Sequence, residues 1–319
     1  MKRLLLFLIL TSITVFCSSW GFFAHRKINH LAVFILPAKL NRFYKNNIRF
    51  IEEHAVDPDK RRYIDPAEAA RHYLDADRYG ASPFDSIPVK WKDAAAKFSE
   101  DSLKANGILP WQIARTYQLL VKAFSEKDSL RILKLSSDLG HYLADAHVPL
   151  HTSENYNGQL TGQTGIHAFW ESRLPELFSA EYDFFTGKAL YIEDPLREAW
   201  RIVKHTYSLK DSVLKIEARI SKTFPSDRKY AFSQRNGKVE KQYSEEYSET
   251  YHVALAGMVE KQMRSSILAV GSFWFSAWID AGQPDLKNLN RKVAEDETVE
   301  AGKTGKAFDA GKIIGRKEE

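Results

Sequence analysis

Residues 112–125 and 129–147 repeat apolar side chains at the three- and four-residue spacing of an α-helix, and few segments anywhere alternate with a period of two. That pattern constrains the fold more than any other feature, because it predicts helices and leaves little material for a sheet. The first segment (QIARTYQLLVKAFS) follows Pro110, and the second (SLRILKLSSDLGHYLADAH) is ended by Pro149. Two more helices are expected over 193–221 and 244–281, the latter rich in Ala, Trp and Phe and stopped by Gly282. About 260 residues of helix with short connections predict a single all-α domain. Residues 152–166 (TSENYNGQLTGQTGI) read as a polar, Gly-containing loop, and no internal repeat is visible.

The two ends differ from this middle. Residues 1–19 carry Lys2 and Arg3, then an apolar run from Leu4 to Phe16, then Cys17-Ser18-Ser19. This is the order of a secretory signal peptide, with cleavage expected before Trp20 and export to the periplasm or medium. The competing readings are an uncleaved anchor, for which the run is short, and lipidation at Cys17, which the bulky Phe16 disfavours. From 285 to 319 the chain turns charged and small-sided, with eight basic and eight acidic residues, and a flexible tail is expected. The catalytic domain is therefore expected over 20–284. Apolar residues at 44% exclude disorder of the whole chain, one apolar run excludes a multi-span membrane protein, and one cysteine excludes a disulfide scaffold. The net charge is +5, or +3 once Lys2 and Arg3 are gone, too little for a strong duplex-DNA surface.

With Cys17 in the leader, a metal site in the mature chain has His, Asp and Glu to draw on. They cluster. His141 and Asp145 stand four apart on one predicted helix, and His167 and Glu171 repeat that spacing on the next. An imidazole and a carboxylate so spaced suit one divalent ion. Pro149 breaks the first helix and frees His151 to leave its face. A lone His–Asp pair is usually a surface hydrogen bond, but five candidates here fall within 31 residues. Upstream, 57–77 (DPDKRRYIDPAEAARHYLDAD) sets His72 behind several carboxylates, and Trp20-Gly-Phe-Phe-Ala-His25 places a histidine just after the expected new N-terminus.

The H-x3-D-x5-H run of His141, Asp145 and His151, the H-x3-E pair and the W-G-x3-H start together resemble the superfamily of zinc-dependent phospholipases C and single-strand-specific nucleases of the S-one/P-one type. The resemblance spans Trp20 to about residue 280 and implies an all-α fold around a trinuclear metal cleft. It implies three zinc ions: one on Asp57, His72, His141 and Asp145; one on the amino and carbonyl groups of Trp20, His25 and a bridging Asp145; one on His151, His167 and Glu171. Asp57 is preferred for its fifteen-residue distance from His72, Asp59 is its rival, and Asp65 is the weaker third choice. Asp57 and Asp75 are the carboxylates expected to serve catalysis, Asp75 by orienting water or a ligand.

The implied activity is phosphodiester hydrolysis by metal-activated hydroxide. Glu171 as the last ligand, the short His151–His167 gap and the H-Y-L-D-A-D run are lipase-like, whereas the tight start and the Asp57–His72 gap are nuclease-like. The expected substrate is a phospholipid head group, with single-stranded nucleic acid as the alternative and no stable protein partner implied. A non-catalytic exported zinc-binding protein is the third reading. Phe22, Phe23, Tyr156, Phe169 and Trp170 are candidates to meet either substrate or to fill the core. Lys60, Arg61 and Arg62 read as a solvated loop, or as cations for a phosphate. His30, His54, His147, His205 and His252 are expected to be structural.

Overall fold

The computed structural model describes residues 22–235, 238–287 and 289, with positions 304, 307 and 313 beyond them. The expected leader, Trp20 and nearly all of the expected tail lie outside the described residues. Within them the chain is all-α, as the apolar periodicity predicts. Seven helices have ten residues or more: α1 (Phe22–Ala32), α2 (Leu109–Ser125), α3 (Ser129–Asp145), α4 (Pro195–Tyr207), α5 (Lys210–Thr223), α6 (Glu245–Ala254) and α7 (Met258–Asp280). The sheet among the described residues is one hairpin of β1 (Tyr230–Arg235) and β2 (Lys238–Tyr243).

Helices α2 and α3 lie side by side, and α7 packs on both while also meeting α1. The Asp128 side chain caps α3 by accepting from the Arg131 N–H, satisfying an end group that the helix cannot pair internally. Buried Trp274 of α7 stacks on Tyr44 at 4.8 Å and donates its indole N–H to the Ser136 carbonyl (3.0 Å). Among the described residues, no helix is long and apolar enough to cross a membrane.

The two long C-terminal segments expected as single helices are each broken. The first parts between α4 and α5, where Ser208 Oγ donates to the His205 carbonyl (2.6 Å), a local bond that competes with helix continuation. The second parts between α6 and α7, where Ala256 and Gly257 take φ of 51° and 76°. The hairpin escapes the helical reading because each strand has only six residues; Asn236-Gly237 between them is a dipeptide that favours a two-residue connection.

Glycine sets how close the site-bearing helices come. A Cβ on Gly140 of α3 would stand 2.0 Å from Asn29 Oδ1 of α1, and one on Gly271 of α7 would stand 2.5 Å from Ile35 Cδ1. Gly140 thus fixes the approach of α1, which carries His25, to α3, which carries His141. Gly140→Ala is expected to cost about 1–3 kcal/mol of stability by forcing the helices apart, and urea unfolding of the two proteins checks it.

Candidate metal centre

Helix α3 ends on Asp145, so His141 and Asp145 occupy one face of its last two turns. The 3₁₀ turn Pro149–Thr152 then swings His151 back beneath His72, whose carbonyl accepts from His151 Nδ1 (2.6 Å). The next ligand-bearing segment starts at Gly165 with φ 97°, runs through a helical turn and widens into a π-turn over Phe169–Arg173. Buried Asn157 anchors its start by accepting from the Gly165 N–H (2.8 Å). The loop before it is thus polar, as expected, yet pinned.

Three groups of His and carboxylate atoms converge: His25, His141 and Asp145; Asp59, His72 and His141; His151, His167 and Glu171. Asp145 of the first group also reaches the middle one, its Oδ2 3.0 Å from His72 Nδ1 and 3.3 Å from His141 Nε2. The two nitrogens are 3.1 Å apart, and Asp59 Oδ1 stands 3.6 and 3.7 Å from them. Four donors set tetrahedrally around zinc at about 2.0–2.1 Å would lie roughly 3.3 Å from one another. The donors therefore already have the spacing of a zinc shell. The other oxygen of Asp145 faces His25 Nε2 at 3.5 Å, so one carboxylate addresses two groups. Glu171 does the same, with Oε2 at 2.7 Å from His167 and 3.3 Å from His151, and Oε1 at 3.2 Å from His25.

Three of the imidazoles are held in one tautomer. His141, His151 and His167 each turn Nδ1 to a backbone carbonyl, of Ala55, His72 and Tyr156. A carbonyl only accepts, so each Nδ1 carries the hydrogen and each Nε2 presents a lone pair to the centre. The set fits zinc: buried nitrogen and oxygen donors, fixed tautomers and no cysteine.

Asp57 is not drawn into these groups. Its Oδ2 meets His54 Nδ1 and its Oδ1 lies 3.2 Å from Lys60 Nζ. Burial opposes its charge, but His54 and Lys60 outweigh that and hold the carboxyl below its ordinary range. Asp59 takes the place expected of it, because the two sit in one helical turn, Asp57–Arg61, and face roughly 200° apart. Asp75 begins the turn Ala76–Tyr79, with its N–H on the Asn106 carbonyl (2.7 Å), and is outside the three groups; Asp65 pairs with Arg71. Trp20 lies outside the described residues.

The basic trio is tied to carboxylates. Arg61 grips Asp138 through two bonds of 3.1 and 2.9 Å, Arg62 is buried beside Asp59, and Lys60 pairs with Asp57. His147 is outside the three groups, with Nδ1–H on the Leu143 carbonyl (2.7 Å); burial holds its pKa down at about 4. His252 pairs with Tyr182 and His30 with Glu52.

Sequence reasoning missed Glu68. It is fully buried, stands 3.5 Å from His72 Nε2, and also meets Arg61, Arg71 and the Tyr142 hydroxyl. Its signal was present: Glu68 precedes His72 by four, the same spacing as the other pairs.

A predominantly helical protein with buried histidine–carboxylate groups sharing their carboxylates has the donors to hold metal. A family model described as zinc dependent phospholipase C matches residues 24–234, well over half of the chain. The chain belongs to that family, whose character supports a zinc-dependent hydrolase of phosphodiesters. No curated protein matches the chain.

Without metal the centre holds protons instead. Burial disfavours charge on His72, yet Asp145 and Glu68 outweigh it and lift its pKa to about 9. Burial also opposes charge on His25, and Glu171 and Asp145 raise it nonetheless. At pH 7 His72 is thus protonated in the metal-free protein, and a metal must displace that proton. Zinc affinity should rise with pH up to about 9, by about tenfold per pH unit for each proton released. Calorimetric titration in buffers of different ionisation enthalpy measures the proton count; no released proton would refute this account.

Proposed function

We propose that the protein is a phospholipase C-like hydrolase, which adds water across the phosphodiester of a phospholipid and frees the phosphorylated head group from diacylglycerol. The shared Asp145, with one oxygen on the His72/His141 pair and the other on His25, is the observation that carries this reading. In the assignment it supports, Asp59, His72, His141 and Asp145 would hold one zinc ion. His25 and Asp145, with the amino and carbonyl groups of Trp20, would hold a second, and His151, His167 and Glu171 a third. Asp59 replaces Asp57 in this set because of where their carboxylates lie. Zinc, when bound, supplies a nucleophile from water at neutral pH and neutralises charge on phosphate oxygens.

The chain's own residues do the rest. The backbone carbonyls of Ala55, His72 and Tyr156 orient three imidazoles, so little reorganisation is needed when substrate arrives. Asp59 and Glu171 have side chains 21% and 10% exposed, against 1% for Asp145, so substrate enters from their side. Asp75, just after His72, is assigned to orienting water or a ligand. The apolar leader before Trp20 makes export the proposed route.

The aromatic residues favour lipid over nucleic acid. Phe22, Phe169 and Trp170 are buried, and Phe169 is stacked on Tyr243, so none of the three offers a free face to a base. That leaves Phe23 and Tyr156 of the five candidates.

The test gives protein beginning at Trp20 phosphatidylcholine vesicles and single-stranded DNA, with and without a chelator. Release of phosphocholine that the chelator abolishes is expected; cleavage of DNA alone would move the protein to the nuclease reading, and zinc without any turnover to the non-catalytic one. Glu171→Ala should lower kcat/KM roughly 100-fold or more. A protein with one extra residue before Trp20 should lose one metal equivalent by elemental analysis, since its amino group is no longer free there; full occupancy would remove Trp20 from the ligand set.

A further inference from the structure

We infer that the β1–β2 hairpin is a membrane-docking element that seats the enzyme on an anionic lipid surface beside its metal centre. The inference rests on the lipid reading above. By the register, Tyr230 and Phe232 share one face of the hairpin with their partners Tyr243 and Lys241 and with Val239. The base of this face is anchored: Tyr243 is buried and stacks on Phe169 at 3.9 Å, and Phe169 sits midway between His167 and Glu171 in sequence. Tyr230 packs on Tyr243 at 5.1 Å, and Lys241 Nζ lies 3.8 Å from the Tyr230 ring centroid. Beyond that contact the face is bare. Phe232 is 73% exposed and Val239 72% exposed, so a large aromatic and a branched aliphatic side chain project from the end of an aromatic stack that starts at the metal ligands.

Charge selects the occupant. Arg228 and Lys229 at the base of the hairpin are paired with Glu246 and Glu217, and the strands and turn beyond them, residues 230–243, carry Arg235, Lys238 and Lys241 against Glu240, a net +2. Apolar side chains flanked by basic ones suit the boundary of an anionic bilayer, where the apolar groups leave water and each nearby cation gains from the surface potential. A nucleic acid would engage the cations but give Phe232 and Val239 no apolar phase to enter.

The experiment uses the zinc-loaded mature chain, the double variant Phe232→Ser/Val239→Ser, and Lys241→Glu. Binding is read by co-sedimentation with vesicles of phosphatidylcholine alone and of phosphatidylcholine mixed with phosphatidylserine. Turnover is read on a monomeric chromogenic phosphocholine ester. Wild type should prefer the mixed vesicles. The double variant should lose roughly tenfold or more in affinity for both vesicle types. Lys241→Glu should lose affinity for the mixed vesicles only, by roughly fivefold or more, with the loss fading at high salt. Both variants should turn over the monomeric ester at the wild-type rate, which also reports that they fold. Unchanged vesicle binding by both variants, or equal binding of wild type to the two vesicle types, would overturn the inference. Loss of single-stranded DNA binding with vesicle binding intact would overturn it in favour of a nucleic-acid contact. Failure of wild type to cleave the ester would count against the proposed function, while the vesicle data would still decide the role of the hairpin.

Discussion

A carboxylate that is almost fully withdrawn from water organises this protein. Asp145 is 1% exposed at the end of the central helix, and burial alone would drive it to take up a proton. Its neighbours His141, His151 and His72 outweigh burial and hold the carboxyl well below its ordinary range. An unpaired charge in that position would cost several kcal/mol, so the histidines around it are as much a condition of the fold as a device for binding metal. The same holds one layer out. Glu68 stays charged despite its burial because His72, Arg61 and Arg71 stand beside it, and Arg61 in turn reaches Asp138 on the helix that carries His141. The centre is a nested set of opposite charges, each buried because the next is in place.

Much of that centre is legible in the sequence, where the ligands share a helix face. His141 with Asp145 and His167 with Glu171 need only the four-residue repeat, because a helix carries both members of a pair to one side whatever the rest of the chain does. The choice between Asp57 and Asp59 is of another kind. Two residues apart on one helical turn, they face nearly opposite ways, and which one turns inward depends on how the short helix after His54 docks against the central one. No local rule holds that information. Glu68 escapes for a related reason: its spacing to His72 is right, but the segment between them is only turn and 3₁₀ helix, so the spacing did not promise a shared face.

The fold divides along the same line. Helices with a broad apolar stripe announce themselves, while their breaks do not: Ser208 and the Ala256-Gly257 pair interrupt apolar patterns that run on across them. The hairpin is the least visible element because its outward face is not patterned for a core. Among its described side chains it keeps Phe232 and Val239 in water while Tyr243 is pulled under, so the alternation that marks a half-buried strand is largely missing. Phe169 and Trp170 mislead in the opposite sense, since rings beside metal ligands invite a substrate-facing reading and the wide π-turn carries both into the interior instead.

The donors that meet at the centre come from distant parts of the chain. His25 and Glu171 lie 146 positions apart, and His72 and Asp145 lie 73 apart. Such contacts form only after large loops have closed, which is slow and comes late in folding. A partly folded chain offers local pairs such as His141–Asp145 and His167–Glu171, and only the closed fold brings the three groups together. Any ion that the closed groups hold would bind the folded chain far better than the unfolded one, and so would stabilise the fold itself.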